Sequence, residues 1–176
     1  KSYIERIEIV NNNRTLDRVV RRELQLVEGD AYNQLKLDNS IREIRNLGFF
    51  SSVEVANFRG SSDEQTITEI AVEEQSTGDL QVGVGYSSID KASFNFGINE
   101  RNFLGTGRKA ELSIGLSNSS TNIRLGLTEP YFLGRNLTAS GAIFSDTRKE
   151  STYTSKSRGF DFGVGFSAAN DIYHRF

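Results

Sequence analysis

Few side chains in this sequence could do covalent or metal chemistry. His174 is the single histidine and cysteine is absent. Disulfides, zinc-thiolate sites and cysteine nucleophiles are thereby excluded, and neither a catalytic triad nor a structural zinc site is expected. GTGRK at 105–109 has the glycines and cation of a phosphate loop. It lacks the GK[ST] ending and a strand-to-helix setting, so it reads as a turn. Glu73, Glu74 and Asp79 crowd a point where the sequence changes style, and exposed carboxylates are the simplest reading there. Asn118-Ser119-Ser120 and Asn136-Leu137-Thr138 match the glycosylation pattern, which carries meaning only if the host is not bacterial. No enzyme, cofactor or metal is expected.

The elements that must carry whatever function exists are strands. From Leu80 onward, six stretches place apolar side chains on alternate positions, the pleat pattern of a transmembrane β-barrel. Leu80, Val82, Val84 and Tyr86 share one face while Gln81, Gly83 and Gly85 share the other. Ala92, Phe94, Phe96 and Ile98 repeat the rule, as do Ala110, Leu112, Ile114 and Leu116, and then Ile123, Leu125 and Leu127. The fifth stretch is blurred, with Leu137, Ala139, Gly141 and Ile143 opposite Thr138, Ser140, Ala142 and Phe144. The sixth has Phe160, Phe162, Val164 and Phe166 against Asp161, Gly163, Gly165 and Ser167. A soluble β-sandwich also alternates. The opposite face argues for a barrel, because Gly, Ser, Asn and Thr with single charges suit a wet lumen better than a Lys/Glu-rich exterior. Arg124, Glu111 and Asp161 fall on that polar face, where they could pair with one another or with absent strands, or line a conduction path.

Residues 1–78 read differently. They carry ten Lys/Arg and fourteen Asp/Glu against eleven and nine in 79–176, a balance that suggests no nucleic-acid partner in either part. A strand over YIERIEIV with Ile7 and Ile9 inward is followed by a turn at 11–13. Thr15 is the expected N-cap of a first helix with Leu16, Val19, Val20 and Leu24 on one face and Arg18, Arg21 and Arg22 solvated. A second helix starts near Asn33 with Leu37, Ile41, Ile44 and Leu47 buried, and Gly48 supplies a left-handed C-cap. SVEVANF and TITEIAVEE then form a hairpin with Val53, Val55, Ile70 and Val72 inward. The order is β-α-α-β-β, a small α+β domain whose edge strands could accept an extended peptide. No run of about 18 apolar residues exists, so no membrane-spanning helix is expected. The chain begins at Lys1 and contains no methionine, and it is expected to be a piece of something longer.

A β-α-α-β-β domain with LGFF before its second strand, leading into barrel strands, resembles the last POTRA domain of the BamA outer-membrane assembly family. RNFLGTGRK at 101–109 is similar to that family's RNFLG-G turn, TEPYFLGR at 128–135 to its TEPYF turn, and VGYSS at 84–88 to its first barrel strand. The resemblance implies a POTRA-like periplasmic domain over 1–78 and the N-terminal part of an outer-membrane barrel over 79–176, six strands of an expected sixteen. Six strands cannot close a barrel.

The orientation implied puts 87–91, 118–122 and 146–158 outside as loops, and 103–109, 130–136 and 170–176 in the periplasm as turns. The implied function is assembly and insertion of outer-membrane β-barrel proteins in a Gram-negative envelope, as part of a BAM complex. Nascent outer-membrane proteins, periplasmic lipoproteins of that complex and outer-membrane lipid would be the partners. Leu80, Gln81, Val82, Gly83, Val84, Gly85 and Tyr86 would form the edge on which client strands pair. Gly83 and Gly85 either ease bending of that strand or relieve crowding in the lumen. Arg101, Asn102, Phe103, Leu104 and Gly105, with Glu129, Pro130, Tyr131 and Phe132, would form the periplasmic turns and girdle, where the aromatics anchor in lipid or meet the missing barrel half. A two-partner secretion or translocation pore of the same superfamily is the alternative.

Overall fold

The computed structural model describes residues 2–169 and 172–175. It divides into two units. The first comprises Lys1–Thr77 and takes in Leu104–Thr106, and the second comprises Gly78–Phe103 and Gly107–Phe176.

The first unit runs β1 (Tyr3–Val10), α1 (Asp17–Arg21), α2 (Gln34–Asn46), β2 (Phe50–Arg59) and β3 (Gln65–Glu74). Its sheet has the order β1-β3-β2, with β1 parallel and β2 antiparallel to the central β3. The core gathers Val19 and Val20 from α1, Leu37, Ile41 and Ile44 from α2, and Val53, Ile70 and Val72 from the sheet. Full burial of such a side chain contributes about 1.5–3 kcal/mol. Ile4 and Ile7 are both inside although their spacing breaks strict alternation, because the register with β3 shifts between Ile4 and Arg6. Ile9 only packs against the core's margin.

The first helix departs from the sequence expectation. It has five residues, its N-cap position is Leu16 without a side-chain bond, and Leu16 is exposed. Thr15 does not cap because it is buried and engaged elsewhere. Its N–H donates to Glu74 Oε1 at 2.6 Å, and the Arg14 N–H donates to Glu74 Oε2 at 2.9 Å. Arg21 is likewise more than a solvated cation, since it donates to Asp17 Oδ2 (2.8 Å) and to the Ile7 carbonyl (3.1 Å). The second helix follows expectation. Asn33 Oδ1 accepts from the Lys36 N–H, and Gly48 follows the helix at φ +69°. Buried Ser40 joins the helix to the preceding loop, accepting from the Gln25 N–H and donating to the Lys36 carbonyl, each at 2.8 Å.

Within this first unit the Leu16 N–H donates to the Gly105 carbonyl at 2.9 Å. Gly105 has φ +71°, and a Cβ there would lie 1.8 Å from the Arg14 carbonyl oxygen. Only glycine fits both the backbone conformation and the approach.

The second unit is one open antiparallel sheet in simple meander order. Its strands are β4 (Gly78–Ser87), β5 (Lys91–Phe103), β6 (Arg108–Ser117), β7 (Ser120–Glu129), β8 (Leu137–Lys149), β9 (Thr154–Ala169) and β10 (Ile172–Arg175). The register lines up the alternation seen in each strand. Leu80, Ile98, Leu112, Leu125, Ile143 and Phe160 form one continuous cross-strand row. On the other face Asp79, Asn99, Glu111, Gly126, Ala142 and Asp161 form another. Two expected loops are shorter than the sequence suggested. Residues 146–149 and 154–158 continue the β8–β9 ladder to Lys149↔Thr154, leaving 150–153 as the loop, and β7 begins at Ser120. Thr, Ser and Lys at these positions satisfy a two-residue period as well as apolar residues do, so the ladder runs on beyond the apolar band. The expected turn at 170–176 lies partly outside the described residues, and its described part, Ile172–Arg175, pairs with β9 as a seventh strand containing His174.

Candidate functional site

The sheet's apolar face has no covering layer among the described residues. Interior strands leave Ile123, Leu125 and Leu127 nearly half exposed, whereas Val84 on β4 is 82 % exposed and Phe160 on β9 81 %. An apolar band of this extent suits an apolar medium, with charges of its face, Glu100 at one end and Lys156 and Arg158 toward the other, lying beyond Ile98 and Phe160 of their own strands.

β4 ends the sheet. It pairs with β5 over its whole length, from Gly78↔Glu100 to Ser87↔Lys91, and with nothing on its other side among the described residues. Leu80, Gln81, Val82, Gly83, Val84, Gly85 and Tyr86 all lie in this strand. Half of its backbone N–H and C=O groups therefore face outward from the ladder, the condition for adding a strand. A Cβ at Gly83 would have the Asn95 Cβ at 3.7 Å as its nearest neighbour, an ordinary contact. At Gly85 it would meet only the Ser93 hydroxyl, at 2.9 Å. Crowding does not require glycine at 83, and at 85 one rotatable hydroxyl would have to move.

The RNFLG turn is braced from within. The register between β5 and β6 shifts between Glu100 and Phe103, and Leu104, Gly105 and Gly107 take positive φ. Asn102 is 4 % exposed; its N–H donates to Glu100 Oε1 and its Oδ1 accepts from the Gly107 N–H, each at 2.8 Å. Arg101 is half-buried, while Phe103 and Leu104 are exposed. In the TEPYF turn Glu129 Oε1 accepts from the Tyr131 N–H at 3.1 Å; Pro130 precedes Tyr131, and Phe132 opens a 3-10 turn with Leu133 at φ +57°. Arg108 ties the two turns, its Nε 2.6 Å from Glu129 Oε2. The sequence reading missed this pair, although Arg108 and Glu129 are the first residues past the Lys109↔Thr128 pairing and so flank the same gap.

On the polar face Arg124 reaches Asp161 at 2.7 Å. Their strands are separated by β8, and the small residues Gly126 and Ala142 keep the intervening surface low. Glu111 shares the same depression, an open space of about 570 Å³. The expected internal pairing of these charges thus holds for two of the three. Glu74, near Asp79 in sequence, is no bare surface acid. Partial burial pushes its pKa up, but hydrogen bonds from the Thr15 hydroxyl and the Thr15 and Arg14 N–H groups, with the Arg14 charge, outweigh that and hold it below the usual carboxylate range.

An α+β module followed in sequence by an open antiparallel sheet with one apolar and one polar face has the two-faced strand pattern of outer-membrane β-barrel proteins. Two family models match the chain: POTRA, the surface antigen variable number repeat, over residues 2–75, and the Omp85 superfamily domain over 102–175. The second match is confined to the barrel part, and the chain as a whole is similar to the BamA assembly factors. Outer membrane protein assembly factor BamA of Neisseria meningitidis serogroup B is 31 % identical over 94 % of this chain and 21 % of the relative. BamA of Neorickettsia risticii is 31 % identical over 98 % of the chain and 24 % of the relative. The crystal structure of BamA from Haemophilus ducreyi lacking POTRA domains 1–3 superposes with a TM-score of 0.85 at 29 % identity, covering 99 % of this chain and 34 % of that one. CdiB from Acinetobacter baumannii shares the fold alone, at 13 % identity and a TM-score of 0.59. The chain spans about a fifth of the length of the curated relatives it matches.

Proposed function

We propose that this chain is the junction portion of an outer-membrane protein assembly factor, with 1–78 as its last periplasmic POTRA domain and 79–176 as the first strands of a barrel of sixteen. Nascent barrel proteins pair their strands with β4, and the POTRA domain docks clients and the accessory lipoproteins of the assembly complex. Phe103, Tyr131 and Phe132 anchor the periplasmic rim in lipid. The observation that carries this reading is the position of β4. It follows the first unit directly in sequence, ends the sheet, and has one whole side of its ladder unpaired among the described residues.

The driving force is physical. Each backbone group left without a partner in hydrocarbon costs several kcal/mol, so an unpaired β4 side favours any strand that satisfies it. No covalent step and no nucleotide is needed. The room at Gly83 supports the view that its glycine serves bending and loose register rather than space. The likeness to CdiB is one of fold and lends a translocation pore no support of its own.

The test places a single cysteine at Val84 in the full-length parent and a second in the terminal strand of a client barrel during assembly. A disulfide confined to one register is the expected outcome. Intact assembly with no crosslink at Val84 or its neighbours would sink strand templating.

A further inference from the structure

The β8–β9 hairpin sorts its charges by face. Lys149 follows Ile143, Ser145 and Thr147 on the apolar side of β8, and Arg158 and Lys156 continue the row of Phe162 and Phe160 on β9. All three cations are exposed, and no acid shares their face within the hairpin. The acids lie elsewhere: Asp146 is on the polar face, and Glu150, in the loop, pairs with Arg148 at 3.9 Å. Lys149, Lys156 and Arg158 have no ion pair among the described residues.

Their height along the strand is set by the register. Arg158 stands one same-face step, about 7 Å, beyond Phe160, and Lys156 another such step beyond it. On β8 and β9 they follow the last apolar side chains, Ile143 and Phe160, toward the hairpin end where headgroups replace acyl chains, while Ile123 on β7 lies level with Ser145 and Arg158. The backbone under them is held. The Lys149 N–H donates to the Ser119 carbonyl at 2.7 Å, and the Glu150 N–H to the Tyr153 carbonyl at 2.8 Å.

We propose that Lys149, Lys156 and Arg158 form a binding site for the phosphates of an outer-leaflet glycolipid, whose acyl chains lie along Ile143, Phe160 and Phe162. The assignment of leaflet rests on the orientation proposed above, in which the hairpin end remote from Gly78 is external. A headgroup carrying two phosphates meets three cations with no competing carboxylate, and the chains meet an uninterrupted apolar column. Zwitterionic phospholipid offers a single phosphate with its own ammonium and has less to gain from the site. A lipid held here would fix β8 and β9 in depth.

The experiment uses the full-length parent in nanodiscs of phosphatidylethanolamine with diphosphoryl lipid A, and native mass spectrometry counts retained lipid. Combined K149Q, K156Q and R158Q is expected to weaken lipid A retention roughly a hundredfold, with K149R, K156R and R158K together near wild type. Protease resistance of the barrel checks that the variant folds. Unchanged retention in the folded Gln variant, or equal retention of phosphatidylglycerol by the wild type, would overturn the site. Labelling of Tyr153→Cys in intact cells by a membrane-impermeant maleimide separates the two readings. Labelling without lipid A dependence fails this site alone, whereas a cysteine reached only from the periplasm fails the orientation and the leaflet with it.

Discussion

Arg108 and Glu129 form an ion pair of 2.6 Å that joins the RNFLG turn to the TEPYF turn, and the same Glu129 carboxylate also accepts the Tyr131 N–H. One carboxylate thus organises its own turn while fixing its neighbour. The Arg108 side chain is 44 % exposed, so water screens much of the attraction.

The pair is therefore expected to matter modestly for stability. Arg108→Ala and Glu129→Gln should each cost about 0.5 kcal/mol, and a double-mutant cycle in urea should return a coupling of similar size that shrinks with added salt. A coupling above about 2 kcal/mol would mean that the pair is far better shielded from water than this exposure indicates.

Glu74 makes the first unit's stability depend on pH. Its folded pKa lies below the ordinary value of 4.5, so its bonds to Arg14 and Thr15 contribute in full above 4.5 and fade as the pH falls through the folded value. Urea midpoints measured between pH 7 and pH 3 should fall less steeply below about pH 4.5 for Glu74→Gln than for wild type. Parallel curves would show that the carboxylate contributes nothing.

Gly105→Ala forces a side chain onto a residue at φ +71° and into the Arg14 carbonyl. About 2 kcal/mol of destabilisation is expected from the backbone alone, with the displaced Leu16 bond in addition. Hydrogen exchange should report faster opening at the Leu16 amide, and an unaltered rate there would refute the contact.

Asn102→Ala leaves the Gly107 N–H without its acceptor inside the turn and should cost about 1–3 kcal/mol, visible as a lowered melting temperature of the sheet. Asn102→Asp keeps the acceptor and is expected to lose less.

Gly83→Ala separates space from bending. The contact of 3.7 Å leaves room, so the unfolding free energy of the sheet should stay within about 0.5 kcal/mol of wild type. Client assembly is the sensitive readout, and a slower rate with unchanged stability would assign Gly83 to strand flexibility.

The face of each strand, the second helix with Asn33 and Gly48 at its ends, and the two turns were legible in the sequence, because alternation, capping and turn chemistry act between residues close along the chain. The family resemblance rested on those same turns, and the matches over 2–75 and 102–175 bear it out. The tertiary structure decided what depends on distant partners. Thr15 lost its capping role because Glu74, 59 residues away, claims its N–H. The shift between Ile4 and Arg6 exists only relative to β3, and the choice of Asp161 over Glu111 for Arg124 follows from a register carried across β8. Local chemistry marks which residues can face inward, cap or turn; which of them meet is set by the registers of strands far apart in sequence, and no single strand contains that information.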